Sequence, residues 1–192
     1  MLETSAFGTD GFSERDLFLL ELAGFDDLPQ RLTLPSRYFA CLVACDAQAA
    51  APQRILPFCS ALLRSGAVYV CTWGPGCDRL QDFFDVASLA DDSHPGESEP
   101  VMTTCHADES LDDALWYLIN LTSPTPAYAP SCGATLAISI GEPDWSERMR
   151  AALGNPPGLD ERVIGAERIR VDPKRVRRGS FSRWWSRKRE IA

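Results

Sequence analysis

Cys77 and His106 are the residues whose types best suit covalent chemistry in this chain. Cys77 follows Gly74-Pro75-Gly76 and opens a segment with helical periodicity. A thiol at a helix start meets unpaired backbone N–H groups and the positive end of the helix dipole, and both favour the thiolate. His106 lies in the polar segment Cys105-His106-Ala107-Asp108-Glu109. An imidazole within reach of a thiol can take its proton, which is the chemistry of a thiol-dependent hydrolase or transferase. Asp78 opposes it, because a neighbouring negative charge disfavours the thiolate. The plainer alternative for Cys77 is a small packing residue at a helix start.

Other groupings are weighed in the same way. His106, Asp108 and Glu109 are of metal-binding types. However, Asp108, Glu109, Asp112 and Asp113 fall at a helix start, where acids are favoured without any metal. No metal is expected. Gly74-Pro75-Gly76 is a turn of the kind that can cradle a phosphate, yet it lacks the GxGxxG spacing and the Lys and Ser/Thr of a P-loop. The acids around it repel phosphate, so a turn that requires glycine is the simpler account, and no cofactor is expected. Asp46, Trp73, Gly74, Gly76, Asp108 and Asp144 are the expected ligand-binding positions. Each sits at or just past the end of an apolar run. Trp145, beside Asp144, is of the type that stacks on a ligand or seals the end of a core.

These positions depend on elements to hold them. Residues 37–45, 67–73, 101–105 and 134–140 are apolar runs that read as strands, and 163–171, where Arg168 and Arg170 alternate with apolar residues, reads as an edge strand. Helical patterning covers 14–23, the stretch from Pro52 to Gly66, 77–89, 110–120 and 144–153. Pro57 is out of place in a helix interior, so a late start or a kink is expected there. Residues 1–12 contain Gly8 and Gly11 and are expected to fray. Alternating strands and helices with apolar strands predict a parallel sheet covered on both faces. The expected fold is α/β: a three-layer Rossmann-like or flavodoxin-like, mainly parallel sheet of four to five strands. In such a sheet the loops after the strands share one edge, and ligands bind there where the strand order reverses.

The bulk properties narrow the class. The chain has 192 residues, 45% of them hydrophobic and 24% charged, which suits one acidic domain over 1–172 followed by a tail over 173–192. No stretch is apolar for long enough to span a bilayer, and the acidic Met1-Leu2-Glu3-Thr4 start does not resemble a secretion signal. The seven cysteines are odd in number, lie mostly in apolar runs and include no CxxC pair, which argues against a disulfide framework or a structural zinc site. A cytoplasmic location is expected. The net charge is −8. Residues 173–192 carry eight Lys/Arg and one acid, a net of +7, which leaves −15 on residues 1–172. Arg177, Arg178, Phe181, Trp184 and Trp185 are the expected partner-binding residues of the tail. Basic residues interleaved with aromatics suit an anionic membrane surface, a single-stranded nucleic acid or an acidic protein groove.

The segments Cys71-Thr72-Trp73-Gly74-Pro75-Gly76-Cys77-Asp78-Arg79 and Thr103-Thr104-Cys105-His106-Ala107-Asp108-Glu109-Ser110-Leu111-Asp112-Asp113-Ala114-Leu115-Trp116 resemble an uncharacterised bacterial α/β domain family of unknown function, over about residues 67–120. The resemblance implies a bacterial cytoplasmic protein and brings no activity with it. With no complete catalytic signature, the leading expectation is a non-catalytic binding or regulatory module. Its body would recognise a protein partner or small ligand at the strand-end edge, and its tail would dock elsewhere. The alternatives are a thiol-dependent enzyme using Cys77 and His106, and a tail-mediated binder of nucleic acid or an anionic membrane surface.

Overall fold

The computed structural model describes residues 4–29, 32–89 and 99–170, and among these six strands form a single sheet. They are β1 Ser5–Thr9, β2 Asp16–Leu22, β3 Tyr38–Ala44, β4 Ala67–Trp73, β5 Met102–Cys105 and β6 Cys132–Ile140. The order across the sheet is β1-β2-β6-β3-β4-β5. β2, β6, β3, β4 and β5 are parallel to one another, and β1 pairs antiparallel with β2. Five helices accompany them among the described residues: α1 Pro52–Arg64, α2 Cys77–Leu89, α3 Leu111–Asn120, α4 Pro143–Gly154 and α5 Pro156–Arg170.

Both faces of the sheet are covered, which is why β3 is buried at every position. On one face, Val43, Val70, Leu136 and Ile138 pack with Ile55, Phe58 and Leu62 of α1 and Leu80 and Phe84 of α2. On the other, Leu42, Tyr69, Cys71 and Ala137 pack with Leu111, Leu115 and Leu118 of α3, Met149 and Leu153 of α4, and Leu159 and Val163 of α5. Asp112 on α3 accepts from Arg148 of α4 at 3.2 Å and from Arg162 of α5 at 2.9 Å. These half-exposed ion pairs fix orientation more than they add stability.

Three expectations are corrected. Residues 14–23, expected as a helix, contain strand β2. Leu17 and Leu19 point to the α3 face and Leu20 and Leu22 to the α1 face, a period of two. Leucine has a high helix propensity, but seven-residue parallel pairing with β6 overrides it. Residues 163–170 of the expected edge strand over 163–171 are instead the second half of α5, and residue 171 lies outside the described residues. Leu159 and Val163, four apart, are both buried, which is helical spacing. The sheet has six strands rather than the expected four to five, with β1 at Ser5–Thr9 on its edge. The hairpin between β1 and β2 is held by the Asp10 carboxylate, which accepts from the Phe12 N–H at 3.0 Å and the Ser13 N–H at 2.6 Å. α1 runs through Pro57 from Pro52 to Arg64. Pro57 has no N–H, so the Gln53 carbonyl lacks its i+4 donor within the helix.

Candidate functional site

β2, β3, β4, β5 and β6 run the same way, so the loops that follow them lie along one edge of the sheet. The chain steps outward from β3 through β4 to β5 and then returns to place β6 on the other side of β3. The order therefore reverses between β6 and β3, which is the position along an open α/β sheet where ligands generally bind. Asp46 is exposed after β3, and Glu142 and Asp144 are exposed after β6. Asp78 and Asp108, also exposed, follow β4 and β5.

The turn Gly74-Pro75-Gly76 packs against the loop after β3. Gly74 has φ +106°, and a Cβ there would lie 2.4 Å from the Cys45 carbonyl oxygen. Gly76 has φ +72°, and its Cβ would lie 2.9 Å from the Gln48 nitrogen. The Ala47 N–H donates to the Pro75 carbonyl at 2.8 Å, and the Cys45 N–H to the Trp73 carbonyl at 3.1 Å. Arg79 completes the clamp by donating to the carbonyls of Ala47 and, at 2.9 Å, Ala50. Neighbouring backbone thus fills the space that a phosphate would take above these glycines. Asp46 caps its own turn, accepting from the Gln48 N–H at 2.9 Å and the Ala49 N–H at 3.2 Å.

Cys77 begins α2 and is buried. Its Sγ lies 2.7 Å from Sγ of Cys105, the last residue of β5. Thr72 ties the same junction, donating from Oγ1 to the Cys77 carbonyl at 2.9 Å. Burial, followed by the contact with Cys105, pushes the Cys77 thiol up to about 12. Any stabilisation of a thiolate by the helix start is therefore outweighed by desolvation.

His106 is buried beside α3. Its Nδ1 lies 2.8 Å from a Glu109 carboxylate oxygen, and its Nε2 lies 3.2 Å from Thr104 Oγ1. A carboxylate only accepts, so Nδ1 donates to Glu109, while Nε2 shares its contact with the Thr104 hydroxyl. The ring meets Tyr117 edge-on at 4.7 Å, and the Tyr117 hydroxyl lies 2.9 Å from that of Tyr69.

Cys77 and His106 thus have different partners. Thr103 and Cys105 face α2, as shown by Thr103 Oγ1, which donates to Asp85 at 2.8 Å and receives Gln81 at 3.1 Å. Thr104, between them, faces Cys71 and His106 on the α3 side. Strand alternation accordingly assigns the thiol pair to one face and the imidazole to the other. Thr104 and Cys105 are the partners that reading the sequence alone does not supply; the sequence offers Cys105 only as the first residue of the polar segment Cys105–Glu109.

Trp73 donates from Nε1 to the Glu109 carbonyl at 2.9 Å and packs edge-on against Trp145 at 5.2 Å. Both rings are half-buried and close the core beneath the rim. Asp108 is exposed just ahead of a capping box in which Ser110 and Asp113 satisfy each other's N–H groups at 3.2 Å. Among the described residues, no group of three His, Cys, Asp or Glu side chains is placed to hold a metal ion. A hollow of about 360 Å³ lies at the opposite edge, lined by residues that include Leu34, Arg37 and Arg64. The expected tail positions Arg177, Arg178, Phe181, Trp184 and Trp185 lie outside the described residues.

Among the described residues, no helix is long and apolar enough to cross a membrane. No curated protein matches the chain. A family model for a domain of unknown function, DUF7684, matches residues 17–156. That span runs from β2 to the first residue of α5, includes every loop of the strand-end rim, and leaves out β1 and the basic tail. It also contains the two segments around Cys77 and His106 whose resemblance to an uncharacterised family is noted above, so the chain belongs to the domain-of-unknown-function family DUF7684.

Proposed function

We propose that this chain is a non-catalytic binding or regulatory module that recognises a protein partner or small ligand at the strand-end edge of a Rossmann-like sheet. One observation carries the reading. The edge exposes the carboxylates of Asp46, Asp78, Asp108, Glu142 and Asp144, while the polar atoms of Cys77 and His106 are engaged inside. A surface of this kind offers charge and hydrogen-bond acceptors, and it suits a cationic or donor-rich partner. Trp73 and Trp145 stiffen the base of that surface rather than reach across it.

The body of the module is the acidic domain over residues 1–172. The tail over 173–192 docks separately on an acidic surface, which is nucleic acid or an anionic membrane. Seven free thiols favour a reducing, cytoplasmic setting. A thiol-dependent enzyme is the weaker reading, because it requires Cys77 as a thiolate and His106 as its base. Cys77 is held protonated, and both nitrogens of His106 have other partners.

The test is affinity capture with the full chain, comparing wild type, the triple variant Asp46→Lys/Glu142→Lys/Asp144→Lys, and Arg64→Glu at the opposite edge. The reading expects a partner that wild type and Arg64→Glu retain and the triple variant loses. Equal retention by all three proteins overturns it.

A further inference from the structure

The contact between Cys77 and Cys105 has no role in the binding surface and is chemically distinctive. Two sulfurs 2.7 Å apart are within about 1 Å of the covalent S–S length of about 2.05 Å. The other five cysteines are buried in the core, whereas Cys105 is partly exposed. Cys105 ends β5, which pairs with β4, and Cys77 begins α2, so the pair joins the last residue of one element to the first of another. Such ends can adjust without unpairing a strand interior or unwinding a helix.

We propose that Cys77 and Cys105 are a redox-active dithiol that closes to a disulfide when the chain meets a peroxide, locking the end of β5 to the start of α2. Cys105 is the sulfur that the oxidant reaches. Its thiolate attacks one peroxide oxygen, the O–O bond breaks, and the leaving hydroxide takes a proton to become water. Cys105 is then a sulfenic acid. The Cys77 sulfur attacks it, an S–S bond forms as the S–O bond breaks, and the departing hydroxide leaves as water with the Cys77 proton. Two thiols lose two electrons in total, and one hydrogen peroxide becomes two waters. A dithiol reductant reverses the step by exchange. In a reducing compartment a disulfide of this kind is transient and regulatory rather than structural.

The lock bears on the rim. Thr72 donates to the Cys77 carbonyl and approaches the Thr104 carbonyl at 3.4 Å, and its own carbonyl accepts the His106 N–H at 3.0 Å. Oxidation would therefore fix the junction that supports the loops after β4 and β5. This inference stands on the sulfur geometry and is independent of what the rim binds.

The experiment uses the full chain, reduced, freed of reductant and treated with stoichiometric hydrogen peroxide. Remaining thiols are then blocked, and the unreduced protein is digested for mass spectrometry. The expected product has two of the seven thiols lost, a Cys77–Cys105 cross-linked peptide, and full recovery of both thiols with dithiothreitol. In Cys77→Ser the sulfenic acid has no resolving thiol, so trapping of Cys105 by dimedone should rise several-fold over wild type. Wild-type protein whose Cys105 is oxidised or dimedone-labelled while Cys77 stays a free thiol overturns the proposal. A cross-link between any other pair of cysteines overturns it equally.

Discussion

Replacing Gly74 by alanine places a methyl group 2.4 Å from the Cys45 carbonyl oxygen, at a backbone φ of +106°. Two costs combine. A non-glycine residue held in a sparsely populated positive-φ region costs about 1–3 kcal/mol. Overpacking against a group that cannot rotate away, here a main-chain carbonyl, costs about 1–3 kcal/mol more. The expected loss is about 2–6 kcal/mol, a large share of the roughly 5–15 kcal/mol that holds a domain together. In urea, with a slope of about 2 kcal/mol/M, the midpoint should fall by roughly 1–3 M. Gly165→Ala is the control. A Cβ at Gly165 meets nothing within 4 Å, and the residue lies within α5, so alanine should raise stability by about 0.5–1 kcal/mol. The assay is urea unfolding of all three proteins followed by tryptophan fluorescence and circular dichroism. A Gly74→Ala midpoint equal to that of wild type would refute the reasoning, because the turn would then have room that the structure denies it.

Two further outcomes follow from burial. Cys45, Cys71 and Cys77 are each pushed up from 9.0 to about 12, mainly by desolvation. The folded state therefore holds protons that the unfolded chain releases above about pH 9, so stability should be level below pH 9 and decline between about pH 9 and 12, as measured by urea midpoints across that range. Phe84 is fully buried and meets Phe58 edge-on at 6.5 Å. Phe84→Ala should cost about 3–5 kcal/mol in thermal or urea unfolding, and Phe12→Ala, at a 77% exposed position, less than about 0.5 kcal/mol.

The parts of the fold that can be read from residue order are those whose burial is independent of a distant partner. β3, β4 and β6 are covered on both faces, so their apolar runs are nearly continuous and their boundaries are close to those observed. The helix after Gly76 is a local pattern and stands where residue spacing places it. β2 is different. Asp16–Leu22 is leucine-rich, and its strand state is set by β6, more than a hundred residues away. The same holds for α5, whose Val163 is buried by packing on α3 and α4 rather than by a sheet edge.

The site divides along the same line. The convergence of loops at one edge follows from parallel strands and is legible once the strands are. The pairing within that edge is not. Cys77 meets Cys105 rather than His106 because side chains alternate across β5, and a one-residue difference in register decides which face each takes. Gly74 and Gly76 were recognisable as turn glycines, but the backbone that fills the space above them comes from the loop after β3.

The central functional claim is that the carboxylate-bearing strand ends are the recognition surface. Hydrogen exchange of the full chain with and without its captured partner tests this most directly. Slowed exchange in residues 45–49, 74–78, 106–110 and 141–145 is the result that this account predicts. Protection confined to the hollow around Leu34 and Arg64, with those four loops unchanged, would contradict it.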